Sequence, residues 1–305
     1  MDRGFRLVSF GESHGIAVGG VIEGCPAGLK IDRKFIADEL ARRATGKTSS
    51  ESQRRESDEV EFLSGLLDDV TLGTPIAFIV RNTDARSEDY EALKDTFRPS
   101  HADYTYQAKY GIRDWRGGGR ASARAMLPYV VAGAIAKQIL TQHGIEIHAI
   151  VQSIGGETNP SKIEALLARC RAEGDSVGGI VHGSITGLPA GLGEPLDDKF
   201  QACLAKAIFT IPAVKGFEYG DGFAMASMRG SEANDPIVRH DDGSVKFRSN
   251  HSGGIQGGIT NGEEVFFNVA FKPIPTIGMG DRHDVCALPR ALVIVEAMAA
   301  LTIPF

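Results

Sequence analysis

The sequence predicts an α+β protein in which antiparallel β-sheets pack on helices. Short β-type runs mostly follow one another in pairs, such as FRLVSF and AVGGVIEG near the N-terminus, with helical stretches between the groups. Regular strand–helix–strand crossovers, which a doubly wound parallel sheet requires, are few. No break in composition marks a boundary, so residues 1–305 are interpreted as one domain.

The elements follow from local patterns. The predicted strands are FRLVSF, AVGGVIEG, VEFLSG, PIAFIV, IEIHAIVQSIGG, GGIVHGSITGLP, VKGFEYG and VFFNVAF. Asp32 suits the N-cap of DRKFIADELARRA, and Ser161 with Glu164 has the capping-box spacing in a helix that ends at Gly174. ASARAMLPYVVAGAIAKQILTQHG predicts a long buried helix, broken near residues 124–128 because Pro128 lies inside it. LPRALVIVEAMAAL predicts the last helix.

Composition narrows the function classes. The formal charge of −6 argues against broad nucleic-acid binding, and no window has the roughly 18 uninterrupted apolar residues of a membrane span. The N-terminus lacks a signal-peptide pattern. The four cysteines are far apart, which favours reduced thiols and a cytoplasmic location over disulfides or zinc. No histidines and carboxylates have helical metal-ligand spacing, so we expect no metal.

The run GESHG at residues 11–15 matches G-x-S-x-G, the nucleophile elbow of serine hydrolases. An elbow requires several preceding strands and a helix directly after it, whereas one strand precedes Gly11 and IAVGGVIEG follows. A loop between two strands that presents His14 is the favoured interpretation, because histidine can transfer protons near neutral pH. A surface histidine in a hairpin remains an alternative.

Residues 98–124, RPSHADYTYQAKYGIRDWRGGGRASAR, contain six basic and two acidic residues, a net charge of +4 in an acidic protein. Five of the bases are arginines, which suit bidentate binding of phosphate or carboxylate. The glycines at 117–119 precede a predicted helix and would let backbone N–H groups approach an anion. A solvated basic face is the alternative.

Two further segments are unusual. RSNHSGGIQGGITNG, residues 248–262, has five glycines, which fit either backbone close to a ligand or a flexible hairpin. DRHDVCALPRA, residues 281–291, places Arg282, His283 and Asp284 before the last helix, where a plain capping role is the alternative.

Together and in this order, FGESHG, the 98–124 segment, NHSGGIQGGITNG and RHDVCALPRA resemble the chorismate synthase family from Phe5 to about Ala300. The resemblance implies a β-α-β sandwich and a homotetramer. It implies conversion of 5-enolpyruvylshikimate 3-phosphate to chorismate and phosphate with reduced FMN, the last common step of the shikimate pathway. NADPH or a separate flavin reductase would supply the reduction.

The resemblance also assigns residues. His101 resembles the acid on the leaving phosphate, and His14 resembles a proton donor to the reduced flavin. Asp284 resembles the group that, with the flavin N5, accepts the C6 proton. Candidate FMN contacts are Arg120, Ala121, Ser122, Ala213, Gly257, Lys272 and Arg282. Arg43 and Arg124 are candidates for binding the substrate or a nucleotide.

The chain departs from the family at several places, one of which is RRATGK in place of the usual Arg-Arg-x-Pro-Gly. ARAM and Pro128 replace the usual Ala-Arg-Glu-Thr, Pro212 replaces an expected Asn beside Ala213, and the segment between Pro275 and Asp281 is short. Two rival functions stay open. One is a serine hydrolase that uses Ser13, and the other is a ligand-binding relative in which the missing loop has removed turnover.

Overall fold

The computed structural model describes residues 4–44, 58–83, 90, 91, 93–243, 245–277 and 284–304. The strands are β1 (Arg6–Phe10), β2 (Ala17–Glu23), β3 (Val60–Phe62), β4 (Leu66–Leu67), β5 (Val70–Thr71), β6 (Ile76–Arg81), β7 (Glu146–Ile154), β8 (Gly179–Thr186), β9 (Val214–Tyr219), β10 (Ile237–Arg239), β11 (Val245–Phe247), β12 (Ile255–Gln256), β13 (Ile259–Thr260) and β14 (Val265–Phe271). The helices are α1 (Arg33–Arg43), α2 (Asp103–Tyr110), α3 (Leu127–Gln142), α4 (Pro160–Glu173), α5 (Phe200–Ile208), α6 (Gly230–Ala233) and α7 (Leu288–Ala300). Each of the eight predicted strands is present.

Two four-stranded sheets enclose a layer of helices. The first sheet has the order β1-β2-β6-β3 and the second β7-β8-β14-β9, and every neighbouring pair is antiparallel. Helix α3 packs on β1 and β2 of the first sheet, and α7 packs on β7 and β8 of the second. Helices α1 and α5 lie against α7 in the same layer. The predicted α+β class with antiparallel sheets around central helices is confirmed.

The core lies between the sheets. Phe78 of the first sheet and Phe267 of the second are fully buried, as are Leu127 and Ile135 of α3. Burying one such side chain contributes about 1.5–3 kcal/mol. Gly133 lets α3 approach α7 closely, because a Cβ there would lie 2.4 Å from the Cβ of Ala297. Among the described residues, no helix is long and apolar enough to cross a membrane.

Helix ends test the capping predictions. Asp32 caps α1 by accepting a hydrogen bond from the Phe35 N–H at 3.0 Å, and Gly174 ends α4 with a φ of 65°, both as predicted. The capping box at Ser161 is wrong. Asn159 caps α4 instead, because its side-chain oxygen accepts from the N–H groups of Ser161 and Lys162 and Pro160 occupies the first turn.

The chain before α3 is irregular. Residues Gly119–Ala121 and Ala123–Met126 form 3-10 turns, and α3 begins at Leu127 with Pro128 in its first turn, where the missing N–H is tolerated. The predicted break is confirmed. The predicted helix directly after Gly117–Gly119 is wrong, because these three glycines have φ values of 60°, 82° and 53° and lead into a 3-10 turn.

Candidate active site

A cavity of about 390 Å³ opens where the 98–126 segment meets the start of α7. Residues 211–213 and 271–276 complete its walls. This volume lies within the range of small-molecule sites, which are mostly apolar with a few placed polar groups. Met126, Ile211, Phe271, Leu288 and Ile294 supply the apolar part.

His101 lines this cavity. A backbone carbonyl can only accept, so His101 Nδ1 donates to the Pro99 carbonyl at 2.9 Å, and in the neutral ring Nε2 accepts from the Thr276 hydroxyl at 3.0 Å. Burial lowers the pKa of His101 below its ordinary value, and the charges of Arg98 and Lys272 act in the same direction. The lowered pKa favours the neutral ring in the ligand-free protein, whereas an anion beside Nε2 would favour its protonation.

His14 lies directly behind the cavity wall. Its loop joins β1 to β2, as predicted. The ring packs against Gly117, where a Cβ would come within 2.0 Å of His14 Cε1, and it meets the Tyr90 ring edge-on at 5.1 Å. Gly117 and Tyr90 both line the cavity. A glycine at 117 thus allows the imidazole to lie one residue away from the cavity.

Ser13 is fully buried, with an exposed fraction of 0%. Its hydroxyl lies 3.1 Å from His14 Nδ1 and donates to the Gly117 carbonyl at 3.3 Å. A hydroxyl has one proton, so this donation assigns the proton between Ser13 and His14 to Nδ1. A serine with no accessible surface cannot attack a substrate, which removes the basis of the hydrolase alternative.

Asp284 and Arg290 form an ion pair within the cavity wall, from Arg290 Nη2 to Asp284 Oδ2. Arg290 stands in the first turn of α7, while Asp284 precedes that helix. Because the N-cap of α7 is Ala287, the alternative of Asp284 as a capping residue is wrong. The pair fixes the Asp284 carboxylate on the side of the cavity formed by α7.

Other cations line the cavity. Arg98 binds Asp103 with two hydrogen bonds of 2.8 and 2.9 Å. Burial raises the pKa of Asp103, but the hydrogen bonds and charge of Arg98 outweigh it and leave that pKa below its ordinary value. Arg113 donates to three backbone carbonyls, at residues 93, 94 and 96. Lys272 Nζ donates to the Ser100 carbonyl at 2.9 Å, and burial lowers its pKa.

Arg43 also lines the cavity, and it forms an ion pair with Asp58 behind the cavity wall. Its Nη2 donates to Asp58 Oδ2 at 2.6 Å, and Asp58 Oδ1 accepts from Arg124 Nη1 at 2.7 Å. Arg124 is 5% exposed, and its Nε and Nη2 donate to Asn82 Oδ1 and to the Arg81 carbonyl. The structure thus places Arg43 where a ligand could reach it and Arg124 behind the wall.

The candidate flavin contacts divide into three groups. Ala121, Ser122, Ala213 and Lys272 line the cavity. Arg120 lies outside its wall and donates to the Gly11 carbonyl and to Ser9 Oγ, at 3.2 and 2.7 Å. Gly257 stands exposed in the turn of the β12–β13 hairpin, also outside this wall. Arg282 lies outside the described residues.

Ala213 has a positive φ of 72°, although it is not a glycine. Its carbonyl accepts from the Lys272 N–H at 2.9 Å, which joins the two candidate contacts. A non-glycine residue in this region stores backbone strain, which structures tend to retain at functional sites.

Sequence reasoning missed Tyr90, Thr276 and Arg290. Arg290 stands within the 281–291 segment, and its place in the first turn of the last helix was a usable signal. Tyr90 and Thr276 lie in stretches with no distinctive pattern, so only the folded chain shows that they contact His14 and His101.

Comparisons with known proteins agree on one family. A family model described as chorismate synthase matches residues 5–281. A chorismate synthase of Porphyromonas gingivalis is 50% identical over 340 residues, covering 98% of this chain and 92% of the relative. One of Parabacteroides distasonis is 47% identical over 339 residues, covering 98% and 94%. A crystal structure of chorismate synthase superposes with a TM-score of 0.81 at 30% identity, covering 99% of this chain and 91% of the other.

Proposed function

The chain belongs to the chorismate synthase family and is a carbon–oxygen lyase, and we propose that it eliminates phosphate from 5-enolpyruvylshikimate 3-phosphate with reduced FMN. The reaction is a 1,4-elimination that yields chorismate and phosphate. The observation that carries the proposal is the surplus of positive charge around the cavity of a chain whose net charge is −6.

That surplus suits this substrate, which has one phosphate and two carboxylates. Among the described residues, five lining side chains are cationic: Arg43, Arg98, Arg113, Lys272 and Arg290. Three are carboxylates: Asp103, Asp114 and Asp284. Behind the wall, Asp58 is shared between two arginines. Bidentate guanidinium groups bind phosphate and carboxylate more strongly than neutral donors do.

The residues present fit a flavin. Gly117, Gly118, Ala121 and Ala123 contribute small side chains to the lining, which leave room for a flat ring, and the apolar residues described above line the same cavity. Ala121, Ser122, Ala213 and Lys272 would hold the cofactor. When bound, reduced FMN would supply the transient electron transfer that makes the elimination feasible.

The protein's own groups would manage charge and protons. Phosphate gains negative charge as it leaves C3, so a protonated His101 would stabilise it through Nε2, in place of the hydrogen bond to Thr276. The Asp284 carboxylate would accept the proton lost from C6, with Arg290 fixing its orientation. His14, one residue behind the wall, would hold a proton close to the cofactor.

The remaining parts of the proposal rest on the family resemblance. They are a homotetrameric assembly, a cytoplasmic location, and reduction of FMN by NADPH or by a separate reductase. No partner among nucleic acids or membranes is proposed.

The test is an anaerobic assay with reduced FMN and 5-enolpyruvylshikimate 3-phosphate. We expect chorismate and phosphate in equal amounts, and large losses of turnover in His101→Ala and Asp284→Asn. Folded protein that binds the substrate and releases neither product would instead identify a ligand-binding relative without turnover. Asp284→Asn that weakens flavin binding and leaves turnover intact would contradict the role of Asp284.

A further inference from the structure

Asn82 follows β6 directly, and its side chain lies beneath the loop that carries His14. Its Nδ2 donates to the carbonyls of the two residues that flank Ser13 and His14, Glu12 at 3.1 Å and Gly15 at 2.8 Å. Its backbone N–H donates to the Ile16 carbonyl at 3.0 Å. Three hydrogen bonds from one residue therefore fix the backbone on either side of Ser13 and His14.

The opposite side of the same amide faces a buried ion cluster. Asn82 Oδ1 accepts from Arg124 Nε at 2.5 Å, and Arg124 in turn donates to Asp58, which binds Arg43. Arg43, Asp58 and Arg124 are 8%, 6% and 5% exposed. A continuous path of hydrogen bonds thus runs from the cavity face of Arg43 to the loop of His14.

We propose that Asn82 is a positioning residue, which orients His14 by tying its loop to the Arg43–Asp58–Arg124 cluster. The proposal rests on the proposed function only for the chemical role of His14. Asn82 itself is not a lining residue of the cavity, so it acts through His14 rather than on a ligand.

An amide is the group that this place requires. It offers two donors on nitrogen and an acceptor on oxygen, and the structure uses both ends. Aspartate keeps an acceptor for Arg124 but places oxygen against two carbonyl oxygens. Alanine removes all the side-chain contacts. Asn82→Asp therefore tests the two donors, and Asn82→Ala tests all of the side-chain hydrogen bonds of Asn82, which together are called the clamp.

The first readout is independent of activity. Long-range ¹H–¹⁵N spectra of histidine rings, with His14 assigned by its loss in His14→Ala, report the environment of His14 in the ligand-free protein. We expect its signals to move or broaden in Asn82→Ala and in Asn82→Asp. Asn159→Ala is the matched control, because it removes an asparagine that also binds two backbone groups, at the start of α4.

The second readout is the split between kcat and KM for 5-enolpyruvylshikimate 3-phosphate. A misplaced histidine lowers kcat by about 10- to 100-fold in both Asn82 variants, with KM changed less than threefold. Asp58→Asn weakens the hold on Arg43 and on Arg124 together, so we expect it to raise KM and also to lower kcat. Asn159→Ala changes neither constant.

Unmoved His14 signals in both folded Asn82 variants would overturn the proposal, as would Asn82→Ala with wild-type kcat. His14 signals that move equally in Asn159→Ala would also overturn it, since the effect would then be general loosening. If the wild-type protein lacks turnover, the proposed function fails while moved His14 signals in the Asn82 variants alone still support the clamp.

Discussion

Arg42 and Arg43 are neighbours in the sequence but belong to two different buried charge networks. Arg42 binds Glu39 and Glu296, and Lys137 binds the same two carboxylates, so two cations meet two anions. Arg43 shares the single carboxylate of Asp58 with Arg124. Among the described residues, the first network has two cations and two carboxylates, whereas the second has two arginines that bind one carboxylate.

The difference follows from where each network lies. The first network joins α1, α3 and α7 and contributes nothing to the cavity wall, while the second reaches that wall through Arg43. Removing a charge from water is costly unless it is paired, and Arg43 lies where a bound anion could pair with it. We therefore expect the first network to contribute mainly to stability and the second mainly to ligand binding.

The largest expected effect is on stability, in Glu296→Ala. Glu296 accepts from Arg42 at 2.6 and 2.7 Å, from Lys137 at 2.5 Å and from the Ala149 N–H at 3.1 Å. Removing one partner of a buried ion pair costs about 3–5 kcal/mol of unfolding free energy. Urea denaturation followed by circular dichroism measures this loss. Asp38→Ala, in the exposed pair with Lys34, is the control and should leave the midpoint unchanged. Equal midpoints for Glu296→Ala and the control would contradict this assignment.

The same network predicts a pH dependence. Burial raises the pKa of Glu296, but the hydrogen bonds and charges of Arg42 and Lys137 outweigh it, so the folded-state pKa lies below the ordinary 4.5. The contribution of Glu296 to stability is then present above pH 4.5 and is lost as the pH falls through the folded-state pKa. Unfolding free energies measured from pH 7 to pH 3 should fall less steeply in Glu296→Gln than in the wild type. Parallel curves would refute the linkage.

The cavity predicts a smaller effect of pH, on ligand binding and in the opposite direction: binding strengthens as the pH falls, whereas the stability from Glu296 is lost. Burial lowers the pKa of His101, and the negative charge of inorganic phosphate bound beside it would raise that pKa again. Through this coupling, phosphate should bind more tightly as the pH falls through the pKa of His101. Titration calorimetry at several pH values measures the dependence. His101→Gln should leave only the part that comes from ionisation of phosphate itself. The same pH dependence in the wild type and in His101→Gln would exclude a coupling to His101.

The smallest expected effect is that of Ser13→Ala. The hydroxyl contacts His14 and the Gly117 carbonyl, and a net hydrogen bond contributes about 0.5–1.5 kcal/mol, so turnover should fall by about 2- to 10-fold. A catalytic serine would instead lose about a million-fold. Steady-state turnover of the purified variant distinguishes these values, and a loss beyond 1,000-fold would restore the nucleophile hypothesis.

The fold could be predicted largely from local pattern. Paired β-type runs indicated antiparallel sheets, and Pro128 indicated where the long helix begins. Helix starts were less certain, because Asn159 and Ser161 are both capping residue types and only the path of the chain selects Asn159. The 3-10 turns after Gly119 have no comparable signal, since propensity does not distinguish them from an α-helix.

The site could be predicted only where motifs carried it. His14, His101 and Asp284 stand in long, distinctive segments. Asp58, Asn82 and Thr276 do not, because their roles depend on contacts with residues 15 to 175 positions away in the sequence. Arg124 shows that a distinctive segment can also suggest a contact that the folded chain does not make. Its segment suggested a ligand contact, and its guanidinium instead binds Asp58 and Asn82.

The separation of the two networks is tested most directly by measuring the dissociation constant of 5-enolpyruvylshikimate 3-phosphate and the melting temperature of Arg42→Gln and Arg43→Gln side by side. We expect Arg43→Gln to weaken binding by about 10-fold or more, since a charged hydrogen bond contributes about 1.5–3 kcal/mol. Arg42→Gln should lower the melting temperature and leave the dissociation constant at the wild-type value. Weakened binding in Arg42→Gln, with wild-type affinity in Arg43→Gln, would contradict the account.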